Sequence, residues 1–171
     1  WELGCRIDGC QAEYVRVPIA DNGMTLIPDD VTDEMALFNG DILATGYWAA
    51  SIGELTPADT VVVIGAGPTG LCTLMSVKLY SPAKVIVVDV DDFRLNLAKE
   101  QGLADIIVNS KNEDPLEVIM RETNGRGADR VFEVAGLKST FELAWKAARP
   151  SAIVVVVALY AEPQEIPLQL M

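Results

Sequence analysis

Val61-Val62-Val63-Ile64-Gly65-Ala66-Gly67-Pro68-Thr69-Gly70 runs from an unbroken β-branched stretch into a turn with three glycines. A strand that is apolar at every position is covered on both faces, and such strands sit in parallel sheets flanked by helices. The turn fits G-x-G-x-x-G. That pattern is weak alone and gains weight between a buried strand and a helix start. Gly65 permits the tight turn. Gly67 lets the backbone approach a pyrophosphate, and Gly70 lets the helix pack close to the sheet. Pro68 and Thr69 open the helix, whose amide groups and dipole would receive the phosphates.

Outward from this stretch, strand and helix alternate. Pro68–Tyr80 reads as a helix and Val85–Val88 as a second strand. Asp91 or Asp92 can cap the next helix, which Gly102 closes. Asp105–Val108 is a third, weaker strand. Asp114 and Pro115 have the order of an N-cap and first helical residue, and Gly125 and Gly127 end that helix. Arg130–Val134 is a fourth strand. Ser139 and Glu142 have capping-box spacing, Pro150 stops that helix, and Ile153–Leu159 is a fifth strand. This rhythm predicts a doubly wound, Rossmann-type α/β domain with parallel strands in the order 3-2-1-4-5. The first 59 residues depart from it. Gln11–Val17 and Met24–Ile27 read as short strands around the turn Asp21-Asn22-Gly23, and Thr32–Phe38 and Asp41–Ser51 read as helices.

Asp89 follows the second strand, about 20 residues after Gly70, where a dinucleotide fold places its ribose acid. Its carboxylate can accept from both adenosine ribose hydroxyls and would repel a 2′-phosphate, so NAD is expected over NADP. The alternative is that Asp89 only caps the following helix, a role that Asp91 and Asp92 already fill. S-adenosylmethionine methyltransferases also combine a glycine turn with such an acid, but their turns usually lack the third glycine at this spacing. A module that binds NAD without using it has the same cradle.

Composition narrows the classes. The net charge of −12 disfavours nucleic acid as a partner. The apolar runs are too short to span a bilayer, and no secretory signal is expected. Cys5, Cys10 and Cys72 form an odd set without paired-zinc spacing, which suits a reducing, cytoplasmic setting. Half of the 171 residues are hydrophobic, enough for a core without staples, and histidine is absent.

The chain resembles the zinc-containing medium-chain alcohol dehydrogenases along nearly its whole length. The stretches that carry the resemblance are residues 7–18 (IDGCQAEYVRVP), 40–48 (GDILATGYW), Gly65–Gly70, Val88-Asp89 and 131–136 (VFEVAG). The resemblance implies residues 1–40 as a remnant of a β-rich catalytic domain with its connector. Residues 41–171 become an NAD-binding Rossmann domain lacking the family's final strand. It implies NAD as cofactor, zinc in the complete enzyme, and a small alcohol or carbonyl substrate. Zinc would polarise the alkoxide while hydride passes to the nicotinamide. A homo-oligomer is expected, because the family's last strand commonly pairs across a dimer.

Asp41 matches the last protein ligand of the catalytic zinc, although an aspartate before Ile42-Leu43 is otherwise an ordinary N-cap. Thr45 matches a residue near the nicotinamide. Arg94 matches a cation on the adenosine side, or reads as a solvated helix charge. Val134 lies where the switch-point crevice opens, and Val157-Ala158-Leu159 match the stretch whose backbone reads the carboxamide. No catalytic residue is assigned. The chain departs from its relatives at Pro150-Ser151-Ala152, usually Pro-Gly-Gly, and at Ala58 and Ala158, usually glycine. Ala158 is expected to tighten or distort the nicotinamide pocket. With one plausible metal ligand, the chain by itself is expected to bind NADH and oxidise no alcohol.

Overall fold

Val61 and Val63 face one side of the sheet and Val62 and Ile64 the other, and all four are fully buried. This is what a β-branched run gives when helices cover both faces. In the computed structural model, which describes residues 3–170, the run is strand β1 (Thr60–Ile64). It pairs in parallel with β2 (Lys84–Asp89) and β4 (Ala128–Glu133). Strand β3 (Ile106–Asn109) lies beyond β2 and β5 (Ala148–Val156) beyond β4, so the order is β3-β2-β1-β4-β5. The strand order reverses between β1 and β4, with β2 and β3 added on one side of β1 and β4 and β5 on the other, and there a doubly wound sheet opens a crevice.

Two core layers follow. One packs Val61, Val63, Val85, Val87 and Phe132 with Leu74 and Val77 of α4 (Pro68–Lys78) and Leu95 and Ala98 of α5 (Asp92–Glu100). The other packs Val62, Ile64, Ile86, Val88 and Val131 with Ile119 of α6 (Pro115–Glu122) and Ala144 of α7 (Lys138–Ala147). Each buried valine or isoleucine contributes about 1.5–3 kcal/mol relative to exposure. Asp91 caps α5 by accepting from the Phe93 amide at 2.9 Å, and Asp114 caps α6 by accepting from the Leu116 amide at 2.8 Å.

Helix α3 (Ile42–Ile52) lies against α4. Gly46 is the reason for the close approach: a Cβ there would stand 2.7 Å from the Cys72 and Thr73 backbone. At the amino ends of the strands, buried Asp129 gathers four donors. It takes the Thr60 amide at 2.9 Å, both Arg126 nitrogens at 2.7 and 2.8 Å, and Arg149 Nε at 2.6 Å.

The chain divides into the units Trp1–Leu37 and Phe38–Met171. In the first, the two expected strands do not form. Residues 11–17 and 24–27 form no strand, and the expected turn at Asp21–Gly23 lies in the short helix α1 (Ala20–Gly23). Tyr14, Met24 and Leu26 are exposed. An isolated hairpin with no apolar face covered is marginal at best. Helix α2 (Asp33–Leu37) forms within the expected residues, and Phe38–Gly40 continues as a 3₁₀ turn in the second unit.

In the second unit two expectations near the end also change. Helix α7 begins at Lys138, and the hydroxyl of Thr140, not Ser139, accepts from the Leu137 amide at 3.0 Å. Thr140 stands three residues after the cap and so reaches it. Strand β5 starts at Ala148 and ends at Val156, with Pro150 inside it. Its register against β4 shifts between Ala128 and Arg130, an irregularity that tolerates proline. The residues 157–159 therefore form the loop after β5.

Candidate cofactor site

The carboxyl ends of four strands meet at a cleft of about 240 Å³. Gly65 leaves β1, Asp89 ends β2, Ser110 follows β3, and Val134 and Ala135 follow β4. Gly65 has φ +103°, which only glycine adopts freely, and its amide donates to the Val88 carbonyl at 2.8 Å. The turn then folds back so tightly that a Cβ on Gly70 would stand 2.0 Å from the Gly65 carbonyl oxygen. The third glycine therefore serves the turn itself, a closer constraint than the helix–sheet packing expected from sequence. Gly67 is the opposite case. It is the N-cap of α4, its φ is an ordinary −65°, and the nearest atom to a Cβ there is Arg94 Nη1 at 4.0 Å. Its bareness leaves open space at a helix N-terminus, beside a guanidinium.

Asp89 is 9 % exposed and does more than wait for a ligand. Oδ2 accepts from the Ala66 amide at 2.6 Å, and Oδ1 accepts from the Val90 and Asp91 amides at 2.7 and 2.9 Å. The side chain thus pins the glycine turn to the end of β2. It is not the cap of α5, which is Asp91. A carboxylate offers about four acceptor positions. Oδ1 is filled and Oδ2 has room for one further donor, so the two free acceptors expected from sequence reduce to one.

Of the residues singled out in the sequence, Gly65, Gly67, Asp89, Arg94 and Val134 line this cleft. Pro68 and Thr69 form the first turn of α4 above it. Val157, Ala158 and Leu159 are outside the lining. They are tied to it because the Glu133 carbonyl accepts from the Val157 and Ala158 amides at 2.9 and 3.2 Å. Sequence reasoning missed Ser110, Leu137 and Thr140 on the cleft wall. The rule that ligands sit beyond strand carboxyl ends would have found Ser110. It also missed Glu133, a fully buried acid at the end of β4.

Asp41 and Thr45 lie outside the cleft, at the start of α3. Asp41 occupies the N-cap position, yet its carboxylate caps no backbone amide. It accepts instead from the Thr45 hydroxyl at 3.4 Å. Its exposed side chain is thus not committed to a helix cap. No group of three His, Cys, Asp or Glu side chains gathers among the described residues. Burial pushes the Cys72 thiol above its ordinary value, which favours its neutral form.

The zinc-binding dehydrogenase model matches residues 68–171. The chain belongs to that family. It is 38 % identical to an alcohol dehydrogenase of Cupriavidus necator over 98 % of its own length, covering 46 % of that protein. An NADP-dependent isopropanol dehydrogenase of Entamoeba histolytica is 33 % identical over 89 % of the chain and 41 % of the relative. Among solved structures, zinc dependent alcohol dehydrogenase 2 of Streptococcus pneumonia, in its apo form, superimposes with a TM-score of 0.87. That pair shares 39 % identity over 95 % of this chain and 46 % of the other. The chain thus spans about half the length of the dehydrogenases it matches. The resemblance read from residues 7–18, 40–48 and 131–136 is borne out. The family implies zinc and a nicotinamide cofactor. The described residues do not assemble a zinc site, and Asp41 alone would fall short of the three protein ligands that a catalytic zinc needs. They do fit a dinucleotide: a bare helix N-terminus, a cation beside it and a pinned acid beyond share one cleft.

Proposed function

We propose that this dehydrogenase chain is the NAD(H)-holding part of a zinc-type alcohol dehydrogenase acting on a small alcohol or carbonyl compound. One observation carries the reading. Gly67 leaves open space at the N-terminus of α4, with nothing nearer than 4.0 Å to an added Cβ, and Asp89 is fixed by the Ala66 amide in the same cleft. In this reading Gly65, Gly67, Pro68, Thr69 and Gly70 cradle the phosphates. Arg94 adds charge to that end, and Asp89 takes one ribose hydroxyl through Oδ2. Val134 and residues 157–159 stand along the nicotinamide half, with Thr45 nearby. Nicotinamide, when bound, supplies the hydride acceptor or donor. The chain's residues bind and orient it.

NAD is preferred because Asp89 cannot swing aside. Three backbone amides hold it, so a 2′-phosphate would meet a fixed carboxylate. Arg94 pulls the other way but sits on a long, flexible stem, and a held charge outweighs a mobile one. The Entamoeba relative, named for NADP, makes this a point to measure. Asp41 is proposed as a single metal ligand that other residues must complete. This chain on its own is expected to oxidise no alcohol. A cytoplasmic setting and homo-oligomeric assembly belong to the same proposal.

The test is a calorimetric titration of the purified chain with NADH, NADPH and S-adenosylmethionine. NADH binding at least about tenfold tighter than NADPH is expected, with that gap closing in Asp89→Ser. Equal affinity for NADH and NADPH would remove the role given to Asp89. Preferential binding of S-adenosylmethionine would overturn the dinucleotide reading. Alcohol-dependent NADH formation by this chain alone, abolished by Asp41→Ala, would show that it completes its own site.

A further inference from the structure

Glu133, the last residue of β4, is fully buried, and every partner of its carboxylate is a neutral donor. Oε1 accepts from the Ala135 amide at 3.0 Å and the Gly136 amide at 2.9 Å. Oε2 accepts from the Tyr160 hydroxyl in a short hydrogen bond. Its own carbonyl accepts from the Val157 and Ala158 amides. One residue therefore holds the loop after β4 with its side chain and the loop after β5 with both side chain and backbone. The two loops are in close contact beside it. A Cβ on Gly136, at φ +78°, would stand 2.9 Å from the Leu159 carbonyl oxygen. The Tyr160 ring is braced edge-on against Phe141 of α7, with centroids 5.7 Å apart.

Burying a carboxylate is costly unless all of its capacity is used. A leucine at this position would avoid that cost, but it would not hold the loop after β4 and would keep the loop after β5 only through its backbone carbonyl. We propose that Glu133 and Tyr160 act as a positioning pair that sets the spacing of these two loops. The nicotinamide half of a bound dinucleotide then meets a fixed wall of backbone at residues 134–135 and 157–159. This rests on the reading that the cleft binds NAD(H). Tyr160 is suited to the task. Burial, and then the bond to Glu133, hold its phenol well above the ordinary value, so it stays a donor across the physiological range.

Two conservative variants test the pair in the full chain. Tyr160→Phe removes the donor and keeps the ring against Phe141. Glu133→Gln keeps an acceptor for the Ala135 and Gly136 amides, and its amide group can donate to a phenol that has turned. AMP, ADP-ribose and NADH are each titrated by calorimetry. NADH fluorescence reports the nicotinamide environment, and a thermal melt reports the fold. For Tyr160→Phe, AMP and ADP-ribose affinities within about twofold are expected. NADH binding should weaken about tenfold, the size of one hydrogen bond to a charged group, and the bound-NADH emission shift should be lost. Glu133→Gln should fall between. The inference is overturned if Tyr160→Phe keeps the unmodified ratio of NADH to ADP-ribose affinity, or if all three ligands weaken together. It is also overturned, alone, if the unmodified chain binds ADP-ribose as tightly as NADH. If the unmodified chain binds none of the three, the reading of the cleft itself fails and takes this inference with it.

Discussion

Gly67 and Gly70 are three residues apart, and an added methyl group should do opposite things at each. At Gly70 the new Cβ would lie 2.0 Å from the Gly65 carbonyl oxygen and 2.8 Å from its carbon. Contacts below about 3.0 Å are not tolerated, so the turn or the first turn of α4 must move by roughly 1 Å. Neither contact is a flexible side chain, and the moving parts carry the Gly65 bond to Val88 and the Ala66 bond to Asp89. Overpacking of this kind costs about 3 kcal/mol, at the upper end of its usual range because backbone must yield. At Gly67 the Cβ would meet nothing nearer than 4.0 Å. Its φ of −65° and ψ of −178° suit alanine. Gly67→Ala should therefore leave stability unchanged or raise it by about 0.5 kcal/mol, by restricting the unfolded chain. It should nonetheless weaken NADH binding by about 100-fold, because the pyrophosphate would be pushed off the helix amides. Chemical denaturation and NADH titration of both variants separate the effects. A Gly67→Ala chain that binds NADH normally would refute the placement of the phosphates. A Gly70→Ala chain as stable as the parent would refute the geometry of the turn.

Three further outcomes are expected. Asp129 is held well below the ordinary carboxylate range, chiefly by its bonds to Arg126 and then to Arg149 and the Thr60 amide, which outweigh its burial. Its stabilisation is complete above about pH 5 and is lost as pH falls below the unfolded value near 4 toward the lower folded one, so Asp129→Asn should cost about 2 kcal/mol at pH 7 and nothing further in strong acid, as read by urea melts across pH. Ser151 sits in β5 at φ +62°, a backbone conformation that favours glycine, so Ser151→Gly should raise stability by up to about 1 kcal/mol and shift the thermal midpoint upward. Tyr160 has the opposite pH sign to Asp129: its contribution is complete below the unfolded phenol's value of about 10 and is lost as pH rises toward the higher folded one, so the parent's denaturation midpoint should fall above pH 10 more steeply than that of Tyr160→Phe.

The sheet order and the glycine turn were legible because their signals are local. A β-branched run says that both faces are covered, and a glycine pattern says where backbone must come close. The ends of elements were less legible. The boundary of α7 turned on which residue is the cap: Ser139 with Glu142 three residues on has the expected spacing, but Leu137 caps the helix with Thr140 three residues on. Strand β5 began five residues earlier than its apolar core, because the register shift opposite Ala128 lets Pro150 lie within a strand. The first unit was misread for a different reason. Alternation in residues 11–17 records a preference for pairing, and a strand exists only where a partner and a covered face are supplied.

The acids of the site show the same limit from the functional side. Asp89 was found from its distance to the glycine turn, but spacing says nothing of how much acceptor capacity the fold itself consumes. Three amides already use it, so the residue that selects the cofactor is also a fastener of the turn. Glu133 is one residue of the 131–136 stretch in the sequence, and only the meeting of two loops distant in sequence gives it a task. Both acids end strands, at β2 and β4, on either side of β1. Each takes the amides of its own following loop, and each ties in a second segment, Ala66 for one and Tyr160 for the other. A parallel sheet leaves unpaired backbone donors where its strands end, and a carboxylate there answers them while holding the loops that a ligand must meet. The cleft is thus shaped from two sides by the same device. Loss of the Asp89 anchor should act on the adenosine end, and loss of the Glu133 anchor on the nicotinamide end.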